Sequence, residues 1–327
     1  MGSFRFGVAM HSVGGREEWN KKCRQAERLG YDVILVPDHL GFPAPFSAMV
    51  AAAGATERPR IGSFVLNTSF WNPTLLGREV VTADQLTDGR LEVGLGAGHR
   101  KEEFEATGFP WRPLAERIDH LERTIEALSG AYEEAVRADA LIQRPRPPLF
   151  LGGNSDRLLR LAARHADIVG FSALTKGPAP QGFRILSAEA LDERVAFFRS
   201  AAGARAAEVE LNILVRDVVI TDDRDGQARR WHERTPDLTL EEFLAAPAVL
   251  LGSVDEIAAQ VRTWADRFGF RYLTVHEPGG ATSPRVVGGR GGYGAAGRAR
   301  PRGPPPPGGG HLTSRARGHQ VTGRGTR

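Results

Sequence analysis

Four of the chain's nine histidines fall at strand ends or in glycine loops, where an α/β protein does its chemistry. They are His11, His39, His99 and His276. Imidazole changes charge nearest neutral pH, so a histidine at a strand's carboxyl end can hydrogen-bond a ring system or pass a proton. His39 is the strongest candidate, because it follows a short apolar run directly, as Pro37-Asp38-His39. The competing reading has His39 cap its loop through Asp38; Asp38 itself reads as a residue that orients backbone. His11, at the tip of the first strand, is a second candidate for the same pocket. Phe70 and Trp71 supply an apolar wall for a ring or substrate, or else pack under a loop. His276 and Glu277 end the last strand and face the same mouth. His120, His165 and His232 fall on helical patterns and read as surface residues, and Glu102 and Glu103 as a solvated helix start. No histidine and carboxylate spacing matches a metal site, so no metal is expected. No Gly-x-Ser-x-Gly elbow is present.

Two glycine clusters accompany these residues. In Asp84–His99 a helix end leads to an Asp88-Gly89 turn, then to a strand carrying Leu91, Val93 and Leu95. Gly94, Gly96 and Gly98 alternate along it. Glycine at every second position lets backbone approach something closely, a ligand at the strand's carboxyl end in one reading; in the other the run is a glycine-rich βα turn chosen for packing alone. The third glycine comes one residue too early for a dinucleotide-binding G-x-G-x-x-G, and the strand is the fourth rather than the first. The second cluster is Gly152-Gly153-Asn154-Ser155 before the helix pattern 156–165. Free N–H groups and the positive end of a helix dipole make such a loop an anion site; the plainer reading makes Ser155 an N-cap.

The elements that position these loops alternate between strand and helix patterns. Strand patterns occur at 4–10, 32–36, 61–66, 90–95, 148–151, 167–171, 208–220 and 271–276. This alternation argues for parallel βαβ units, and eight short apolar strands fit a closed (β/α)8 TIM barrel. The stretch 173–188 is looser. The segment 222–248 exceeds one crossover helix and reads as an insertion before the last strand, either a lid or a surface decoration.

Composition bounds the rest. With 327 residues and 41% hydrophobic content the chain can build one large core. No apolar run reaches a membrane span, and no signal peptide is read at the start. The single Cys23 lies inward on the first helix pattern and reads as a buried, inert thiol in a reducing, cytoplasmic setting. The domain is expected over 1–278. Residues 279–327 form a Gly/Pro/Arg-rich tail with nine arginines and no acid, expected to be disordered. Removing those nine charges from the net +4 leaves −5 for the body, which argues against a nucleic-acid footprint there. The composition breaks where the eighth strand calls for a closing helix. A shifted reading frame accounts for that break, as does an arginine-glycine tail for polyanions; the first carries more weight.

Asp38-His39, the Asp84–Gly98 run and the Gly152-Gly153 loop together resemble the bacterial luciferase-like superfamily, and within it the coenzyme-F420-dependent branch. The resemblance covers about residues 4–278, and its most specific part is D-x-L-T-x-G-R-x-E-x-G-x-G-A-G. It implies an oxidoreductase that passes a hydride between F420 and a small organic substrate. The alternatives are a reduced-flavin (FMN) monooxygenase and a degenerate, non-catalytic cofactor-binding barrel. It implies a ring lying across the barrel mouth near Gly96, Ala97 and Gly98, and a phosphate on Gly152, Gly153 and Asn154. It also implies a non-proline cis peptide behind the ring, at Val65-Leu66 or Leu66-Asn67. Many F420-dependent relatives carry an acid or an aromatic where this chain has His99, so His99 becomes a candidate proton donor beside His39. A homodimer is expected.

Overall fold

The computed structural model describes residues 3–177, 183–233 and 237–277. Its strands are β1 (Arg5–Ala9), β2 (Val33–Val36), β3 (Arg60–Ser63), β4 (Leu66–Asn67), β5 (Leu91–Gly96), β6 (Leu149–Gly152), β7 (Ile168–Ser172), β8 (Leu174–Lys176), β9 (Phe183–Ile185), β10 (Glu210–Leu214), β11 (Asp217–Ile220), β12 (Val249–Gly252) and β13 (Tyr272–His276). Eight of them, β1, β2, β3, β5, β6, β7, β10 and β13, pair in parallel in that order. The β1–β13 and β3–β5 ladders close the ring, so the expected (β/α)8 barrel forms. The helices are α1 (Arg16–Arg28), α2 (Pro45–Ala55), α3 (Pro73–Leu86), α4 (Lys101–Thr107), α5 (Leu114–Arg137), α6 (Asp156–His165), α7 (Ala188–Ala202), α8 (Arg224–His232), α9 (Leu240–Ala245) and α10 (Val254–Phe268). None is long and apolar enough to cross a membrane. The tail expected at 279–327, and any closing helix after β13, lie outside the described residues.

Local chemistry explains the elements. On α1, Trp19, Cys23 and Ala26 recur at helical spacing and are buried. Burial pushes the Cys23 thiol up to about 12 and keeps it inert, as expected. Asn72 caps α3 by accepting from the N–H groups of Thr74 and Leu75, with Pro73 at the first helical position. Ser253 and Glu256 form a capping box on α10.

The barrel interior pairs bulk with absence. Leu35, Phe150 and Tyr272 fill its middle with Ala9, Val33 and Ile168. A Cβ on Gly170 would sit 2.3 Å from the Phe150 ring, and one on Gly7 would sit 3.0 Å from Leu35. Nearer the amino ends of the strands, Arg5 pairs with both Glu92 and Glu210, and Arg60 Nε lies 2.8 Å from Glu92 Oε1. Pairing is what makes buried charge tolerable, and this network closes the floor. The carboxyl rim is left for chemistry.

Two sequence expectations change here. The strand expected over 208–220 breaks in two. Val215 N–H goes to the Thr274 carbonyl, inside the barrel, whereas Arg216 N–H goes to the Ala248 carbonyl, outside it. The insertion therefore begins at β11 and runs to β12, wider than 222–248, and these two strands pair in parallel with α8 and α9 between them. It has its own core of Ala228, Trp231, Phe243, Val249 and Leu251, joined by Ala173 and Ile185. Those last two residues belong to the stretch read as loose, which contains the β8–β9 hairpin. The insertion is thus a packed subdomain that leaves the barrel from the carboxyl end of β10 and shares its core with the segment that follows β7.

Candidate functional site

Histidines from four barrel segments converge on the rim. His39 follows β2, His99 follows β5, His11 follows β1 and His276 ends β13. His39 and His99 meet edge to face with ring centroids 5.2 Å apart. His11 and His276 lie 4.9 Å apart, with His276 Nδ1 3.1 Å from His11 Nε2. Phe42 stands between the pairs, 5.6 Å from His39 and 5.0 Å from His11.

Each pair is backed by a carboxylate. Glu103 Oε1 lies 2.9 Å from His39 Nδ1. A carboxylate accepts only, so Nδ1 carries the proton and Nε2 keeps its lone pair. Among the described residues His39 Nε2 has no partner. Burial, with the Arg100 guanidinium and His11 adding to it, pushes His39 down to about 4, so it is neutral at pH 7. Burial raises the Glu103 carboxyl. Glu103 is only 7% exposed, which corrects its reading as a solvated residue: α4 turns it inward under His39, while Glu102 beside it is exposed. Its position in the first turn of a short helix gave no sign of this. His276 is also pushed down to about 4 by burial, then by His11 and Arg216, and His11 moves the same way. His99 stands exposed at the edge.

Asp38 does not draw His39 into its loop. Its carboxylate accepts from the Asn67 N–H at 3.0 Å and from Trp71 Nε1 at 3.3 Å, so it fixes the backbone after β4. Asn67 in turn accepts from the Ser69 N–H. Trp71 packs on Phe46. Phe70 packs against Phe104 of α4 and Phe109 of the loop that precedes α5. His120 is half-buried on α5 rather than free at the surface: its Nε2 donates to the carbonyls of Thr68 and Trp71 at 2.9 and 3.2 Å and ties α5 to this turn.

The alternating glycines of β5 serve the barrel wall. A Cβ on Gly94 would lie 2.0 Å from the Ser63 carbonyl oxygen, and one on Gly96 2.6 Å from Val65 Cγ2. On Gly98, at φ +75°, it would lie 2.4 Å from the Asn67 side-chain oxygen. Their close partner is therefore the β3–β4 segment. A non-proline cis peptide does occur in that segment, at Phe64-Val65, one residue before the nearer expected position. Leu66 is fully buried on β4. The polar residues of the same run also hold the frame. Asp84 accepts from the N–H groups of Ile142 and Gln143, and Arg90 donates to the carbonyls of Ala53 and Pro59. Arg117 of α5, 6% exposed, donates to the carbonyls of Ala97 and Gly98 and lies 3.9 Å over the Trp111 ring. It sets the turn that carries His99.

At the Gly152–Asn154 loop part of the expected donor set is already committed. Gly153 N–H goes to the Gly170 carbonyl, and the Asn154 side chain bonds both backbone groups of Ser172. Ser155 is an N-cap, accepting from the Leu158 N–H. The amides of residues 154–157 have no partner among the described residues. Arg194 draws off the Asp156 carboxylate at 2.6 Å, so this helix end remains electropositive.

A family model for luciferase-like monooxygenases matches residues 4–235. The chain belongs to that family. Its luciferase-like relatives use two cofactors by name. An FMNH(2)-dependent dimethylsulfone monooxygenase of Pseudomonas putida is 28% identical over a 251-residue alignment that covers 68% of this chain and 64% of that protein, just under two thirds of its length. An F420-dependent glucose-6-phosphate dehydrogenase of Amycolatopsis mediterranei is 26% identical over 301 residues, covering 78% of this chain and 86% of that one. Among solved structures, an F420-dependent secondary alcohol dehydrogenase in complex with an F420-acetone adduct superposes with TM-score 0.63 at 15% identity, covering 84% of this chain and 93% of that one. The oxygenating constituent of 3,6-diketocamphane monooxygenase from Pseudomonas putida, in complex with FMN, gives TM-score 0.62 at 16% identity, covering 84% and 91%. At these identities the structures show the fold.

Proposed function

We propose that this luciferase-like chain is an oxidoreductase that transfers a hydride between coenzyme F420 and a small hydroxyl- or carbonyl-bearing organic substrate. The observation that carries the reading is the Glu103–His39 pair. Glu103 holds the proton on His39 Nδ1 and leaves Nε2, on a ring at the rim, without a partner among the described residues. A neutral imidazole with one fixed lone pair is a base ready to take a hydroxyl proton as the adjacent C–H bond loses its hydride; the reverse reaction returns that proton. His99, 5.2 Å away ring to ring, extends the path by which the proton leaves.

The residues fit a tricyclic cofactor. Val65 and Phe64 present apolar surface toward the barrel axis, and the free amides at residues 154–157 suit its phosphate. When bound, F420 supplies the carbon that accepts or returns the hydride. In this reading Gly96 and Gly98, with Ala97 between them, shape the wall behind the ring by packing on the β3–β4 segment, His11 lies behind the substrate, and Asp38 with Asn67 holds the loop beneath. Phe70 and Trp71 support that loop from behind.

The second reading is a reduced-flavin monooxygenase, favoured by the Pseudomonas putida relative. Titrating the purified chain with F420 and with FMN separates them. Tighter F420 binding, and a change in F420 absorbance with an alcohol that is lost in His39→Gln, support the first. Tighter FMN binding, with oxygenation by reduced FMN and O2, overturns it. The homodimer belongs to the same proposal and is read by sedimentation.

A further inference from the structure

A second carboxylate–imidazole chain lies across Phe42 from the His39 pair, and the proposed mechanism does not use it. Glu277 anchors it. Its Oε1 accepts the N–H groups of His11 at 2.7 Å and Ser12 at 3.1 Å, and its Oε2 lies 2.8 Å from Lys22 Nζ. The same Oε1 is 3.9 Å from His11 Nδ1. That nitrogen is buried and has no hydrogen-bond partner, and His11 is 7% exposed. His11 Nε2 meets His276 Nδ1 at 3.1 Å.

Two neutral imidazole nitrogens at that distance need one proton between them, so two arrangements exist. In the first, His11 carries its proton on Nε2 and donates to His276. Its bare Nδ1 lone pair then faces the Glu277 carboxylate across 3.9 Å of buried space, an unfavourable contact. In the second, Nδ1 carries the proton toward Glu277, and Nε2 accepts from His276 Nδ1–H. His276 Nε2 is then a lone pair. That atom is neither buried nor partnered among the described residues, on a half-buried ring at the rim.

We infer that Glu277 and His11 are positioning residues that hold His276 as a hydrogen-bond acceptor at the barrel mouth, opposite His39, where it selects substrates that bring a second hydrogen-bond donor. This rests on the mouth being the substrate site. The charged groups facing the chain are Lys22 and Arg100 near His11 and Arg216 near His276. Burial is the main force that keeps one proton per ring, and all three cations add to it against the opposing pull of Glu277 on His11.

The test is the imidazole 15N spectrum of the cofactor-free protein at pH 7, with resonances assigned by their loss in His11→Asn and His276→Asn. The expected result is His11 and His276 both protonated at Nδ1. An Nε2-protonated His11 or His276 overturns the inference. Glu277→Gln keeps an oxygen for the His11 and Ser12 amides while removing the charge, and it is expected to shift His11 toward a mixture of tautomers. An unchanged wild-type-like His11 in that variant shows that the carboxylate does not set the chain. The wild-type spectrum decides even where a variant fails to fold. F420 binding is measured separately, so failure of the F420 reading leaves these tautomers as they are and is distinguishable from failure of this one.

Discussion

Replacing Gly94 by alanine tests whether the alternating glycines of β5 serve the wall or a ligand. The added methyl carbon would lie 2.0 Å from the Ser63 carbonyl oxygen and 3.2 Å from Val65 Cγ1. The first contact is with backbone, so no rotamer change relieves it, and β3 must move away from β5. Overpacking of this kind costs about 1–3 kcal/mol. The upper end applies, because Ser63 Oγ also bridges the Gly94 N–H and carbonyl, both at 2.9 Å, and losing one such bond adds about 1 kcal/mol. A total of about 3–4 kcal/mol lowers the melting temperature by on the order of 10 °C in a chain of this size. Gly96→Ala meets only the Val65 methyl, at 2.6 Å, and a side chain can turn, so it should cost about 1–2 kcal/mol. Both are measured by thermal unfolding of the protein without cofactor. A Gly94→Ala variant that melts with the wild type yet binds F420 or FMN poorly would refute the packing argument and return these glycines to the ligand.

Glu103→Gln removes the charge behind His39, and losing a charge-assisted hydrogen bond worth about 1.5–3 kcal/mol should cut kcat/KM by roughly 10- to 100-fold with little change in folding; a wild-type rate removes the pair from the mechanism. Arg117→Met strips donors from the Ala97 and Gly98 carbonyls and should destabilise by about 2–4 kcal/mol; an unchanged denaturant midpoint contradicts the clamp. Acid should weaken the fold through the rim. His39 and His276 bind protons in the folded chain only near pH 4, whereas the unfolded chain takes them up from about pH 6.5. Stability is therefore full above about pH 6.5 and falls toward pH 4, by up to about 1.4 kcal/mol per pH unit for each histidine. Melting curves from pH 8 to 4.5 check this, and replacing both residues by asparagine should flatten the slope.

The barrel was legible because its signals are local. Short apolar runs separated by amphipathic helices, with caps such as Asn72 and Ser253, depend on neighbours within a few residues. Parallel strands joined by helices have few ways to close. The rim positions of His11, His39, His99 and His276 followed from the same pattern, since each lies at or just past a strand end. Partners were a different matter. Glu103 meets His39 across 64 residues of chain, and Glu277 meets the His11 backbone across 266. Helix phase and strand stagger set those meetings, and a glutamate one residue away, Glu102, faces solvent. The alternating glycines show the same limit: their spacing announced a close approach, but only the neighbouring strand could say to what. Sequence placed the reactive types at one end of the fold because periodicity is local; tertiary structure chose which carboxylate backs which imidazole, because that choice is made between residues far apart along the chain.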